Sequence, residues 1–227
     1  MVNTAGVIWI DAGTADISEG NFTSNKANTG AVMWLDQATI TGATVSVTEN
    51  HANYTIIYSM ESEIELTDSI LSSNVGSLCA IESSIVLADV TIFEMQTVNQ
   101  TNANQLAEGG AITAFQSEIT FDGITSLMHN RAHIGGSVLA TEAKLHIRGT
   151  VIIANNTASQ SGGGIYLYQS EMICQKMSAL KLLGNIAMEK GGGIYAVGSL
   201  IKAKVPSYGQ RSGSEVFHDK FCIKYSR

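Results

Sequence analysis

Apolar and polar residues alternate in short segments along most of this chain. The segment "EIEL" at 63–66 places Ile64 and Leu66 on one side and Glu63 and Glu65 on the other. The segments "EITF" at 118–121 and "KLHI" at 144–147 follow the same pattern. Such alternation between Gly, Ser and Asn residues is typical of β-strands. Because no segment shows a convincing helical period, we expect an all-β protein.

The strand pattern recurs in a repeat whose spacing varies from 21 to 34 residues. The apolar residue after a glycine-rich stretch serves as an anchor, and a second apolar residue stands seven positions later. The anchors are Ile8, Met33, Ile57, Leu78, Ile112, Val138, Ile165 and Ile194, and the residues at plus seven are Ile40, Ile64, Ile85, Ile119, Leu145, Met172 and Ile201. In the first repeat we assign Ile17 as the partner of Ile8, which requires two extra residues at Gly13-Thr14.

An asparagine closes every repeat except the fourth and the last. In "FTSNKA" at 22–27 and "LMHNRA" at 127–132, an apolar residue is followed by two variable residues, Asn, one variable residue and Ala. Aligned side-chain amides can bond from one repeat to the next, and Asn tolerates the left-handed backbone of a sharp turn. We therefore predict a structural Asn column, with an insertion within 93–105 in the fourth repeat. The column consists of Asn25, Asn50, Asn74, Asn130, Asn156 and Asn185.

A period in the twenties with three short strands per repeat predicts a right-handed parallel β-helix. We expect about eight coils over residues 1–203, each coil being one turn of the solenoid, in a rod roughly 40 Å long. Paired glycines should form a corner where no Cβ fits. Residues 204–227 break the pattern and are predicted to be an irregular tail or partial cap. Because the first coil begins near Met1 without a cap, we expect the chain to be part of a longer protein.

Composition and charge narrow the classes of partner. Hydrophobic residues make up 44% of the chain and charged residues 15%, which is sufficient for a packed core. The formal net charge of −7 disfavours nucleic acid and anionic membranes as partners. No apolar run approaches the ~20 residues that span a bilayer, and no signal peptide is visible. The three cysteines, Cys79, Cys174 and Cys222, lack the spacing of a zinc site.

Aromatic residues follow several anchors directly. Since an anchor points inward, the next residue points outward. Two outward aromatic patches are predicted, Trp9 with Trp34 and Tyr58, and Tyr166 with Tyr195. They are candidates for binding a sugar or a partner protein, and cross-strand stacking that only steadies the sheet is the alternative.

Catalytic and metal-binding patterns are absent from the sequence. The aspartates are scattered singly, whereas polysaccharide-cleaving sites need converging carboxylates. His129 and His133 flank a predicted turn, and the acidic run Glu61, Glu63, Glu65 and Asp68 alternates with inward apolar residues, so both are expected to be solvated. We therefore expect no catalytic residue, no metal and no cofactor. A site assembled from different coils remains open.

The motifs Gly109-Gly110-Ala111-Ile112 and Phe22-Thr23-Ser24-Asn25 resemble the GGAI and FxxN repeat of the chlamydial polymorphic membrane proteins. The resemblance extends over about residues 4–203. It implies a surface-exposed adhesin, and hence a non-catalytic scaffold, extracellular or at the cell surface, whose partner is a cell-surface protein or glycan. The alternative is a polysaccharide lyase or hydrolase of the pectin-lyase type, which shares the right-handed β-helix.

Overall fold

Parallel strands stacked into a solenoid form the structure, a computed structural model that describes residues 6–97, 109–203 and 223–226. Within these ranges the chain forms strands and turns and contains no helix. The strands, numbered β1–β28 in chain order, build three long sheets (A, B and C) and a short sheet D. The predicted all-β parallel β-helix is confirmed, with strands from eight successive coils in each long sheet.

Sheet A contains the anchors. Each anchor lies directly opposite the anchor of the next coil, from Ile8 against Met33 to Ile165 against Ile194. The register predicted from the anchors is therefore confirmed. The strands are β1 (Ile8–Asp11), β5 (Met33–Asp36), β8 (His51–Met60), β11 (Val75–Ile81), β14 (Ile112–Phe115), β18 (Val138–Thr141), β22 (Ile165–Tyr168) and β26 (Ile194–Val197), and β4 (Lys26–Ala27) also pairs with β8.

Sheet B follows after a short corner and contains the plus-seven residues. From the second coil to the eighth these residues are aligned as predicted, from Ile40 to Ile201. The strands are β2 (Thr14–Ser18), β6 (Thr39–Ala43), β9 (Glu63–Thr67), β12 (Ser84–Ala88), β15 (Glu118–Asp122), β19 (Lys144–Ile147), β23 (Glu171–Cys174) and β27 (Leu200–Ala203).

The prediction for the first coil is wrong. Ala15, not Ile17, lies opposite Ile40, so the first coil has no extra residues at Gly13-Thr14. Ile17 lies two positions further along, opposite Gly42. Both Ala15 and Ile17 occupy inward positions of the same strand, so the alternation fits either residue. Apolarity alone therefore selects the wrong one of two inward residues.

Sheets C and D complete each coil. The strands of sheet C are β3 (Asn21–Thr23), β7 (Ser46–Thr48), β10 (Ile70–Ser72), β13 (Thr91–Phe93), β16 (Ile124–Met128), β20 (Thr150–Ala154), β24 (Ala179–Leu183) and β28 (Ile223–Ser226), and those of sheet D are β17 (Arg131–Ala132), β21 (Thr157–Ala158) and β25 (Ile186–Ala187). Within the predicted tail at 204–227, β28 pairs in parallel with β24 and so extends sheet C. The rest of the tail and most of the predicted insertion lie outside the described residues.

Stacked aliphatic side chains form the core. Leu78, Ile112, Val138 and Ile165 are at most 1% exposed and lie on successive coils of sheet A. Burying such a side chain stabilises the fold by roughly 1.5–3 kcal/mol relative to leaving it in water. The interior is therefore filled by aliphatic groups, which leaves recognition and chemistry to the outward side chains.

The corners combine left-handed residues with small buried ones. The paired glycines form the corner before sheet A, where Gly162 has φ +68° and a Cβ on Gly163 would lie 2.4 Å from the carbonyl oxygen of Gly192. At the Asn corner the left-handed residue precedes the Asn of the column, as in Glu49 (φ +57°) before Asn50. The column Asn does not itself have a positive φ, so the left-handed residue of this corner stands one position earlier than we expected.

Candidate functional site

Three aromatic side chains stack on the outer face of sheet A in the first three coils. Trp9, Trp34 and Tyr58 lie directly opposite one another on β1, β5 and β8. Their ring centroids are 4.6 Å apart for Trp9 and Trp34 and 5.8 Å apart for Trp34 and Tyr58. Trp9 is 57% exposed, and the other two rings are half-buried. We call these three residues the N-terminal aromatic patch.

A second aromatic pair lies at the other end of the same face. The rings of Tyr166 and Tyr195 have centroids 5.4 Å apart and an interplanar angle of 54°. The ammonium group of Lys190 lies 5.8 Å from the centroid of the Tyr195 ring, within the range of a cation–π contact. We call Tyr166 and Tyr195 the C-terminal aromatic patch. The C-terminal aromatic patch therefore already has a cation nearby, the ammonium group of Lys190.

Buried residues separate the two patches. The same outward row continues through Cys79, Thr113 and Leu139, which are 3%, 0% and 1% exposed. The hydroxyl group of Thr113 lies 3.2 Å from that of Ser77, which is also buried. The row therefore reaches the surface as two patches rather than as one continuous stripe.

A second outward row, which our sequence analysis missed, joins the two patches. It consists of the residues three positions after each anchor, and period-two alternation of the strand would have identified it. All of its members are at least partly accessible. The row runs through Asp11, Asp36, Met60, Ile81, Phe115, Thr141, Tyr168 and Val197. From the third coil onward it is apolar except at Thr141, and its members are partly to well accessible.

Two tyrosines on this face, Tyr58 and Tyr166, have raised pKa values. Burial raises the pKa of Tyr58 above its ordinary value, with smaller contributions from Cys79 and from the carboxylate of Asp36. Burial is also the main cause of the raised pKa of Tyr166, followed by Tyr195 and Tyr168. Both phenols therefore remain protonated at neutral pH and can donate hydrogen bonds to a partner.

Stacking decides which parts of the rings a partner can reach. The planes of Trp34 and Tyr58 are inclined by only 16°, and Trp9 lies on the opposite side of Trp34. The faces of Trp34 are thus turned towards its neighbours, and its edge is turned to the solvent. Sugar rings stack on aromatic faces, so this arrangement offers a sugar only the outer face of Trp9. A side chain of a protein partner, in contrast, can pack against ring edges.

The six predicted asparagines lie in one column at the corner that follows sheet C in each coil. The side-chain oxygen of Asn156 accepts the backbone N–H of Asn130 at 2.8 Å, and that of Asn185 accepts the backbone N–H of Asn156 at 3.0 Å. The side-chain Nδ2 of Asn156 also donates to the carbonyl oxygen of Leu127. Asn50, Asn74, Asn130 and Asn156 are at most 1% exposed. The column therefore supports the corner and is not available to a ligand.

Met95 takes the place of asparagine in the fourth coil. Its backbone N–H donates to the side-chain oxygen of Asn130 at 3.0 Å, while Nδ2 of Asn74 lies 3.2 Å from its sulfur atom. A thioether accepts hydrogen bonds weakly, so the column continues through the fourth coil at reduced strength.

A column of serines at the corner between sheets A and B was missed in the sequence. The hydroxyl of Ser83 accepts the backbone N–H of Ser62 and donates to the carbonyl oxygen of Ile81, and Ser117 accepts from Ser83 in the same way. The members are Ser62, Ser83, Ser117, Ser170 and Ser199, while Ala38 and Ala143 stand at the equivalent positions of two other coils. Each serine precedes the plus-seven residue by two positions, which is the signal that would have revealed it.

Charged side chains on sheet B form ion pairs between coils. Lys202 binds Glu171, and His146 lies 3.2 Å from Glu118. The hydrogen bond from Lys202 lowers the pKa of the Glu171 carboxyl group. A general acid of a polysaccharide-cleaving enzyme needs a raised pKa, so this carboxylate is unsuited to that role.

Two aspartates meet at one corner between sheets B and C. The backbone N–H of Ile124 donates to Asp89 at 2.7 Å, and that of Gly123 donates to Asp122 at 2.9 Å. Arg148 follows Ile147, which lies opposite Phe121 on the next coil. Both carboxylates thus accept hydrogen bonds from consecutive amides of the turn, which is a capping arrangement.

The remaining candidates from the sequence lie at the surface. His129 and His133 are both exposed, and Nδ1 of His133 lies 2.9 Å from the hydroxyl of Ser159. Glu61, Glu63 and Glu65 are exposed as well. Across the described parts of the chain, no three His, Cys, Asp or Glu side chains are arranged to hold a metal ion. Nor does any helix suitable for crossing a membrane occur there.

Comparison with known families gives one match. Residues 150–168 match the model of the Chlamydia polymorphic membrane protein repeat. This segment runs from β20 through the corner at Asn156 and the glycines at 162–164 to the end of β22, so it contains both alternating motifs of one coil. The resemblance inferred from the sequence is confirmed for this repeat. No curated protein and no solved structure matches this chain.

Proposed function

We propose that this chain is a non-catalytic binding scaffold, displayed outside the cell as part of a longer protein, that contacts its partner through the outer face of sheet A. The observation that carries the proposal is the accessible apolar and aromatic surface formed by the two patches and the second outward row. The repeat shared with the Chlamydia polymorphic membrane proteins supports a location at the cell surface.

The solenoid suits binding because its recognition surface is already ordered. The outward side chains of sheet A stand on strands that pair with both neighbouring coils, except the end strands β1 and β26, which pair with one, so little backbone entropy is lost when a partner binds. Many weak contacts along the face can then add up to useful affinity. Trp and Tyr, which dominate the ends of this face, are the residue types most enriched among binding hot spots.

Replacing Trp9 and Trp34 with Ser tests this function. We expect the double variant to lose most of its attachment to cells, because the exposed part of the N-terminal aromatic patch is removed. The matched control replaces Ile70 and Ile124, which are 46% and 61% exposed on sheet C, with Ser. Both variants should retain the wild-type circular dichroism spectrum. Equal attachment of the wild type and the Trp variant would show that the patch is only structural.

A polysaccharide lyase or hydrolase is the second candidate, and the corner that joins Asp89 and Asp122 near Arg148 is the observation in its favour. The capping hydrogen bonds described above account for both carboxylates without catalysis. Incubation with pectate, alginate and polygalacturonate, with and without Ca²⁺, distinguishes the two functions. We expect no turnover; turnover that Asp89→Asn or Asp122→Asn abolishes would establish the enzyme instead.

A further inference from the structure

Charge is distributed unevenly along the solenoid. Residues 6–97, which form the first four coils, contain twelve Asp and Glu residues and a single basic residue, Lys26. Residues 109–203 contain five acidic and seven basic residues. The modest net charge of the whole chain therefore conceals a strongly acidic half, which carries the N-terminal aromatic patch, and a slightly basic half, which carries the C-terminal one.

Carboxylates border the N-terminal aromatic patch directly. Asp11 and Asp36 stand two positions after Trp9 and Trp34 on the same strands and point to the same side of sheet A. The Asp36 carboxylate is close enough to contribute to the raised pKa of Tyr58. At the adjoining corner, Nε2 of Gln37 donates to Glu61 at 3.0 Å.

Among the residues that the structure describes, no cation lies over the rings of this patch, in contrast to the C-terminal patch with Lys190. Within residues 6–97 the only lysine, Lys26, lies on β4 rather than on the strands that carry the patch, and arginine is absent. Within the described residues, no Lys or Arg side chain is paired with the carboxylates beside the rings. Such a surface attracts a positively charged partner and repels anionic glycans and nucleic acids.

We propose that the N-terminal aromatic patch and its bordering carboxylates bind a basic segment of a partner protein, in which Arg or Lys side chains are interspersed with apolar ones. The proposal rests on the function proposed above and names the partner's chemistry. Arginine fits best, because its guanidinium group pairs with Asp11 or Asp36 through two parallel hydrogen bonds and also packs against Trp9. Apolar side chains of the segment contact the edges of Trp34 and Tyr58.

Binding of an alternating Arg-Leu decapeptide to the full chain tests the proposal. We expect Asp11→Asn with Asp36→Asn to weaken binding roughly tenfold, since two close charge pairs are lost. The matched control, Glu63→Gln with Glu65→Gln, removes the same charge from sheet B of the third coil and should weaken binding less than about twofold. Equal losses in both variants would show attraction to net charge alone and overturn the proposal. Unchanged binding of the Asp variant would overturn it as well.

A parallel cell-attachment assay separates this proposal from the proposed function. Loss of attachment in both the Trp9→Ser/Trp34→Ser variant and the Asp11→Asn/Asp36→Asn variant, with attachment that falls as salt rises, supports both proposals. If only the Trp variant loses attachment, the proposed binding face is supported, but the proposal of a basic partner is overturned. Attachment through neutral glycans or through a second copy of the chain, without salt dependence, would also overturn it.

Discussion

The side-chain oxygen of Asn74 accepts two hydrogen bonds from Asn50, one from its backbone N–H at 2.8 Å and one from its Nδ2 at 3.0 Å. The two residues belong to successive coils and are almost fully buried. The same contact recurs between Asn25 and Asn50 and between Asn156 and Asn185. One side chain per coil thus links neighbouring coils at the corner that follows sheet C.

Replacing Asn130 with Ala should lower the free energy of unfolding by about 1–3 kcal/mol, because the buried N–H of Met95 loses its acceptor. Urea denaturation, followed by circular dichroism, measures the change. Asn21→Ala, at an exposed position of β3, is the control and should have little effect. If Asn130→Ala is no more destabilising than this control, the column does not support the corner.

The serine column should tolerate substitution by alanine better than the Asn column does. Ser83→Ala removes the acceptor of the Ser62 N–H, but Ala38 and Ala143 show that two coils already accommodate alanine at this corner. We expect a loss of about 1 kcal/mol, smaller than that of Asn130→Ala under the same conditions. If Ser83→Ala lowers the free energy of unfolding more than Asn130→Ala does, the serine corner contributes more to stability than the Asn corner, contrary to our expectation.

In the later coils, where glycines face one another, the glycine corner is expected to reject a side chain at Gly163. In Gly163→Ala the new Cβ would lie 2.4 Å from the Gly192 oxygen and 2.5 Å from the carbonyl group of Ile186, so the coils must separate. Gly198→Ala is the control: it has φ +58°, but its Cβ would meet only Gln169 at 3.5 Å. Backbone strain of roughly 1–2 kcal/mol is expected for Gly198→Ala, and a clearly larger loss for Gly163→Ala. Thermal melts of the two variants compare them, and equal melting temperatures would contradict the tight approach of the coils.

Alkaline pH should weaken the fold through Tyr58. Its folded pKa is raised, so the native state holds this proton more tightly than the unfolded state does. The resulting stabilisation is complete below the ordinary tyrosine pKa of 10.0 and is lost as the pH rises through the folded pKa. Tyr58→Phe should therefore lose less stability than the wild type between neutral and strongly alkaline pH. Parallel losses in the two proteins would show that Tyr58 titrates normally.

The sequence predicts the repeat and its register well because each coil presents the same apolar anchor to the same neighbours. The anchors from Ile8 to Ile194 are aligned as expected. It fails at Ile17, because two inward residues, Ala15 and Ile17, are both compatible with the pattern and the larger of them is not the partner of Ile40. It also misplaces the left-handed residue of the Asn corner by one position.

The candidate face was only partly predictable. The stack of Trp9, Trp34 and Tyr58 follows from alternation alone, yet the burial of Leu139 in the same outward row depends on tertiary surroundings that a single repeat does not encode. The second outward row, in which Tyr168 is 39% exposed, could have been predicted from the same alternation of inward and outward residues. The serine column was hidden because a serine before a strand resembles an ordinary turn residue.

Hydroxyl-radical footprinting of the full chain, free and attached to cell membranes, tests the central claim most directly. Trp9 is 57% exposed on the proposed binding face, and Met177, 86% exposed beyond the strands of sheet A, is an internal control of similar reactivity. We predict that attachment protects Trp9, Trp34 and Tyr168 from oxidation and leaves Met177 as reactive as before. Protection of Met177 with undiminished oxidation of Trp9 and Trp34 would contradict the assignment of sheet A as the binding face.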